Sequence, residues 1–362
     1  MSYIQKRKQY KIIITTLIFI LFTAILFSFT QGSAEIPPST ITNIILDKIL
    51  TTIDIYLNKI GISSGFAELT HVNSLSDEII ILEVRLPRIL LAALVGASLS
   101  ISGVVLQGLF RNPMADPYIL GISSGAGLGA AIAMLFGLSF SFIGISGIST
   151  FAFFGGIIAI LIVYNIAKVN QTLPTQTLLL SGIAVSAFFS ACIACLMFIS
   201  GDKLHGILFW LFGSMSSASW SDIKLILPYF IICATIIYIF SRDLNVMLLG
   251  EEDAKTLGID TEILKKILLF CATMITAAAV SVSGLIGFVG LVIPHITRII
   301  VGPDHKILIP ASVLIGSIVL VVTDTLARTI IAPADIPVGI ITALFGAPFF
   351  IYLLKKKKHE YF

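Results

Sequence analysis

The chain is 362 residues long, 57% apolar and only 12% charged, about half the charged fraction of a soluble domain. That composition excludes a water-soluble globule, and no long stretch is polar enough to form a soluble catalytic domain. The formal net charge of +3 reflects Lys and Arg flanking apolar runs and implies no nucleic-acid partner.

Each bilayer crossing needs about 20 apolar residues, so the length leaves room for about ten crossings and little else. The first apolar run, 12–29, follows Lys6, Arg7, Lys8 and Lys11. A signal peptide would share those flanks, but the run is long for one and no A-x-A site follows, so a retained first span is expected. Residues 31–84 differ in kind: Pro37 and Pro38 break the chain, and Glu35, Asp47, Asp54, Glu68, Asp77 and Glu78 make it acidic. Within it, Ile44, Ile45, Ile49 and Ile53 recur at helical spacing, which predicts a short helix on the membrane surface.

Further spans are predicted at 87–109, 118–137, 149–167, 176–199, 222–241, 264–283, 286–301, 307–327 and 337–354, giving ten in all. Gly284 and Gly287 leave open whether two of them are separate or one bent element. Ten spans put both termini on one side. That set of loops holds sixteen of the 23 Lys and Arg residues, which assigns it to the cytoplasm and the acidic 31–84 segment to the outside. Trp210 and Trp220 then fall in an outer loop, where Ile207–Phe212 reads as a short interfacial or re-entrant helix.

Three features compete as functional signals. Gly121-Ile-Ser-Ser-Gly125 matches the G-x-S-x-G pattern of a serine nucleophile, but that elbow needs a preceding strand and a nearby base. No strand is expected there, and His295 is the only histidine inside a predicted span. Gly121, Gly125 and Gly129 recur every four residues, which favours a smooth stripe for helix packing. The longest inner loop, 242–266, carries Glu251, Glu252 and Asp253 where a helix N-terminus favours acids, and Gly258 where a left-handed cap closes it. A short helix at 250–257 is therefore predicted. Leu248, Leu249, Leu257 and Ile259 are more apolar than a solvated linker requires, which suggests a partner-docking surface. Asp324 and Arg328, four apart, can pair on one helix face; a proton relay through Asp324 would need a second intramembrane acid. The four cysteines, including Cys192 and Cys195 at C-x-x-C spacing, lie in apolar helices and read as packing residues. No metal or other cofactor is implied.

Several ordered motifs resemble the FecCD-type permeases. They are Arg85-Leu-Pro-Arg88, Gly103-Val-Val-Leu-Gln107, Arg111-Asn-Pro-Met-Ala-Asp-Pro117, Leu249-Gly-Glu-Glu-Asp-Ala254, Gly287-Phe-Val-Gly-Leu-Val-Ile-Pro-His295 and Asp335-Ile-Pro-Val-Gly339. The resemblance covers about 85–355 and leaves 1–84 as a first span plus an external segment, with the permease core at 85–362. It implies an all-α, ten-helix fold of the type II ABC importer permease kind that performs no chemistry itself. The implied partners are a second copy in a homodimer, two cytoplasmic ATP-binding subunits and an external solute-binding protein. The implied cargo is an iron chelate, haem or cobalamin, and the alternative is a secondary ion-coupled transporter. By resemblance, Arg85, Arg88 and Arg328 match the outer arginines that receive the binding protein's carboxylates. Leu249, Gly250, Glu251, Glu252, Ala254, Leu257 and Gly258 match the coupling segment, and Asn112, Met114, Thr175 and Gln176 match the cytoplasmic gate.

Overall fold

The computed structural model describes residues 3–32, 34–60, 74–138, 141–142, 145–170 and 172–358. Apolar side chains recur through nearly every segment, so the backbone satisfies its polar groups within helices wherever it would meet lipid. The first half holds α1 (Tyr3–Thr30), α2 (Pro38–Lys59), α3 (Leu75–Ile79), α4 (Leu86–Leu109), α5 (Ile122–Leu135), α6 (Gly147–Ala167) and α7 (Thr175–Phe198). The second half holds α8 (Leu204–Leu211), α9 (Trp220–Ile239), α10 (Ser241–Met247), α11 (Glu251–Thr256), α12 (Thr261–Ser283), α13 (Val289–Val301), α14 (His305–Thr329) and α15 (Val338–Lys358). A two-residue antiparallel pairing of Ser141–Phe142 with Ile145–Ser146 precedes α6.

Among the described residues, seven helices are long and apolar enough to cross a membrane, and three shorter apolar helices, Ile122–Leu135, Val289–Val301 and Val338–Leu353, stand at the other predicted spans. Gly284 leaves α12 with φ +67°, and Phe288 enters α13 with φ +68°, so these two are separate elements. At 1.5 Å per residue, α5 and α13 are only about 20 Å long, short of the ~30 Å hydrocarbon layer. A 3₁₀ turn, Pro117–Leu120, precedes α5, and the short α8 packs its Trp210 carbonyl against Gly284 ahead of α13.

The centre of the molecule is α4, buried along nearly its whole length. It approaches α14 closely because both present glycine at the crossing: a methyl on Gly96 would overlap the Gly316 carbonyl, and one on Gly316 would overlap Ser100. In lipid, where water does not drive helices together, such close contact is a main source of association. By contrast, Phe19, Phe22, Leu26 and Phe27 on α1 and Ile351 and Tyr352 on α15 are exposed, as lipid-facing or subunit-facing positions are.

The helix bearing Arg85 and Arg88 starts earlier than expected. It runs from Leu75 to Leu109, with a π-helical turn over Ile80–Arg85. Its 35 residues span about 50 Å, so it projects well beyond the bilayer, and the division expected at 84/85 falls inside it. The predicted surface helix is α2, 22 residues long. Its Ile41 and Ile44 are buried in a cluster with Phe29, Ile81, Ile89 and Val321, so α2 is packed on the ends of α1, α4 and α14. Leu46, Ile49, Ile53, Tyr56 and Ile60 stay exposed along its other side. Glu68 lies outside the described residues.

Candidate functional site

Functional side chains gather at two levels, one at each end of the bundle. At the end where α1 finishes and α4 begins, Asp324 of α14 is 1% exposed. It accepts hydrogen bonds from Arg88 Nε at 3.0 Å and Arg88 Nη2 at 3.0 Å. Arg88 Nη1 also donates to Asp335 at 2.7 Å. Arg328 Nε stands 4.0 Å from Asp324, beyond hydrogen-bond range, so the expected Asp324–Arg328 pair is secondary to one joining residues 236 apart in sequence. Arg328 Nη2 donates to the Ser28 carbonyl at 2.5 Å and to Ser28 Oγ at 2.6 Å. Arg85 donates to the Phe29 carbonyl at 2.6 Å and to the Ala34 carbonyl. Two arginines thus cap the carbonyl end of α1, where the helix dipole favours positive charge.

The three arginines expected as outer charges are therefore buried, at 4%, 8% and 6% exposure for Arg85, Arg88 and Arg328, and are engaged inside the chain. Sequence reasoning missed Ser28 and Asp335 as their partners. No local spacing links either residue to these arginines; only the tertiary packing does. Trp220 closes the same level by donating its indole N–H to the Leu82 carbonyl at 3.1 Å.

At the opposite end, α11 occupies Glu251–Thr256 between Gly250 (φ +140°) and Gly258 (φ +87°). No L side chain adopts these backbone angles readily, which fixes glycine at both ends of the helix. Ala254 is buried beneath it, while Leu249 and Leu257 are each 64% exposed. Glu251 accepts from Lys265 at 2.6 Å, and Lys265 also donates to Glu262 at 3.2 Å. Asn245 of α10 accepts from the His305 backbone N–H and contacts His305 Nδ1, both at 2.8 Å, and donates to Asp304 at 2.7 Å. The segment is thus bonded to the bundle on one side, while exposed Leu249 and Leu257 flank an outer face of Glu252, Asp253, Lys255 and Thr256.

The expected gate residues lie at this end. Asn112 Oδ1 accepts the Met114 backbone N–H at 2.9 Å, which folds the loop and leaves Met114 exposed. Thr175 and Gln176 open the first turn of α7. Asp116 caps the 3₁₀ turn by accepting from the Tyr118 N–H at 2.8 Å. Burial raises its carboxyl to about 6, against the smaller lowering effect of that hydrogen bond.

Among the described residues, two cavities are lined largely by serine. One, of about 400 Å³, is lined by Tyr118, Ser123, Ser124, Ser186, Ser190 and Leu211, among others, and its lining holds no His, Asp or Glu. The other, of about 680 Å³, is lined by nine serines together with His205, Trp210 and Asp222. It draws on five separate helices and the loops between them, which is why no sequence motif announced it. Ser123 lies in the first turn of α5 after a 3₁₀ turn; it has neither the strand nor the base that a nucleophile elbow needs. In the glycine series, a methyl on Gly125 or Gly129 would overlap the Gly155 or Phe151 carbonyl of α6. Gly121 instead takes φ +84° as the left-handed residue before α5 and has no contact of that closeness.

The sequence profile of the FecCD transport family matches residues 17–356. The chain belongs to the FecCD transport family. It is 48% identical over 281 residues to the cobalamin import system permease protein BtuC of Halobacterium salinarum, covering 78% of this chain and 74% of that one. It is 41% identical to the hemin transport system permease protein HmuU of Yersinia pestis, over 77% of this chain and 84% of the relative. It is also 41% identical to the molybdate import system permease protein MolB of Haemophilus influenzae, over 77% and 82%. Among solved structures, a metal-chelate type ABC transporter in an inward-facing conformation superimposes with a TM-score of 0.78 at 33% identity, covering 95% of this chain and 99% of that one. This FecCD protein is thus a multi-pass transport permease with the all-α fold of the ABC importer class.

Proposed function

We propose that the chain is the membrane subunit of an ATP-driven importer that carries a metal chelate, either an iron complex such as a siderophore or haem, or cobalamin, into the cytoplasm. The observation that carries this reading is the α11 segment. Its inner side is hydrogen-bonded to α12, while Leu249 and Leu257 project from its two ends at 64% exposure. Paired apolar knobs around a short rigid helix suit insertion into a cleft on a soluble partner, here a cytoplasmic ATP-binding subunit, two of which would serve a homodimer of permeases. Most Lys and Arg residues of the sequence fall in the set of loops that includes the α11 segment, which supports placing that end in the cytoplasm of a cell-membrane protein.

At the outer end, Arg85, Arg88 and Arg328 with Asp324 and Asp335 form a cluster of net charge +1. The Asp335 side chain is 27% exposed, so a carboxylate of an external solute-binding protein would approach there and exchange with Asp335 on Arg88. The serine-lined cavities would offer the cargo hydroxyl groups along its path. Loops at Asn112, Met114, Thr175 and Gln176 would close the path on the cytoplasmic side, and rocking of the subunits would open each side alternately.

The experiment is purification of the tagged chain from native membranes in mild detergent, identification of co-purifying proteins, and reconstitution of that complex in liposomes for ATP-dependent uptake. An ATP-binding subunit and an exported binding protein are expected to co-purify, and the latter can be tested for its ligand. A chain that emerges alone, while a control complex survives the same detergent, would overturn this reading and move ion-coupled transport to the front.

A further inference from the structure

The two cytoplasmic elements of the proposed mechanism, the α11 lever and the loop ahead of α7, are separated by 75 or more residues in sequence, yet they meet through two adjoining side chains of α12. Lys265, in the second turn of α12, is 6% exposed. Its ammonium donates to Glu251 of α11 at 2.6 Å and to Glu262 at 3.2 Å. Glu262 uses its other oxygen, Oε2, to accept the backbone N–H of Leu173 at 3.1 Å. Leu173 is itself buried at 3% exposure, and Pro174 follows as the N-cap of α7. A proline stiffens the backbone at that joint, so a pull on the Leu173 amide is delivered to Thr175 and Gln176 without slack.

We propose that Lys265 is a positioning residue that transmits displacement of α11 to the start of α7, through the chain Glu251–Lys265–Glu262–Leu173. The inference rests on the importer reading above and assigns it an internal transmission element. Three features support transmission over mere stabilisation. The hydrogen bonds are charge-assisted, hence the stiffer kind. Two carboxylates share one ammonium, so the arrangement tolerates no free rotation of Lys265. The other gate loop also reaches the lever, since Arg111 Nη1 would lie 3.6 Å from a methyl placed on Gly250. Both loops therefore border α11, but only the one before α7 is joined to it by a continuous hydrogen-bonded path among the described residues.

The test uses the complete complex in proteoliposomes, with ATP hydrolysis and uptake measured on the same preparation. Wild type must first show ATP-dependent uptake; if it does not, the importer reading fails and not this one. Glu262→Gln is the primary variant: Lys265 keeps its ion pair with Glu251, the α11 surface is untouched, and an amide has one acceptor oxygen where the path uses two. The expected result is hydrolysis within about twofold of wild type and cargo moved per ATP reduced by about tenfold or more, the scale of losing one hydrogen bond to a charged group. Lys265→Met is expected to give the same separation, and Lys265→Arg to restore the wild-type ratio. An unchanged ratio in Glu262→Gln would overturn the proposal. A parallel loss of both activities would overturn it too, because that is the signature of a docking or folding defect.

Discussion

Neutralising Asp324 is the sharpest test of the buried charge cluster. Asp324 is 1% exposed, with Arg88 at 3.0 Å and Arg328 at 4.0 Å. At the effective dielectric that describes protein sites, each attraction is worth about 4 kcal/mol. Asp324→Asn forfeits both but avoids several kcal/mol of carboxylate desolvation, which leaves a net loss of about 3–5 kcal/mol, in the range seen when one partner of a buried pair is removed. Asp335→Asn removes a carboxylate that is 27% exposed and bonded to Arg88 alone, so its cost is about 1 kcal/mol or less. The assay is thermal stability of the purified complex in detergent, read as loss of the monodisperse peak in size-exclusion chromatography. Asp324→Asn is expected to melt several degrees below Asp335→Asn, and high salt is expected to erase only the smaller effect. Equal melting temperatures, or a salt-sensitive Asp324→Asn defect, would refute the claim that this carboxylate compensates buried arginines.

Three further outcomes follow from the same contacts. Gly129→Val is expected to abolish folded protein because its side chain would occupy the Phe151 carbonyl, whereas Gly287→Ala, with open space around it, should express and melt like wild type; fluorescence-detected chromatography of the two decides. Asp116 has its pKa raised to about 6 from 3.8, so its ionised form opposes folding above pH 6 and the penalty vanishes below about pH 4. Asp116→Asn should therefore raise stability at pH 7.5 by up to about 3 kcal/mol and flatten the melting profile between pH 4 and 6. Ser123→Ala should leave uptake unchanged, because no His, Asp or Glu lines its cavity to serve as base; complete loss with normal folding would reopen the hydrolase reading.

The sequence by itself determined the class, the count of apolar helices and the short helix between Gly250 and Gly258. These are local properties: about 20 apolar residues announce a crossing whatever surrounds them, and a glycine at each end of an acidic turn marks a short helix without reference to the rest of the chain. Only the tertiary structure decided the rest. Arg85, Arg88 and Arg328 read as outer charges, but the Phe29 and Ala34 carbonyls hold Arg85 inward, and Asp324, Asp335 and Ser28 hold Arg88 and Arg328; these partners come from chain segments that no periodicity connects. Gly121 fits the four-residue stripe of Gly125 and Gly129, yet it lies one residue before α5, where the backbone turns left-handed and the packing surface has not begun. Lys265 looked like one more positive residue of the inner loops. Glu262 is its neighbour one turn away on α12, but the bond from Lys265 to Glu251 exists only because α12 folds back beside α11, and in a chain with so little charge the meaning of each charged residue is set by which others the fold brings within 3 or 4 Å of it.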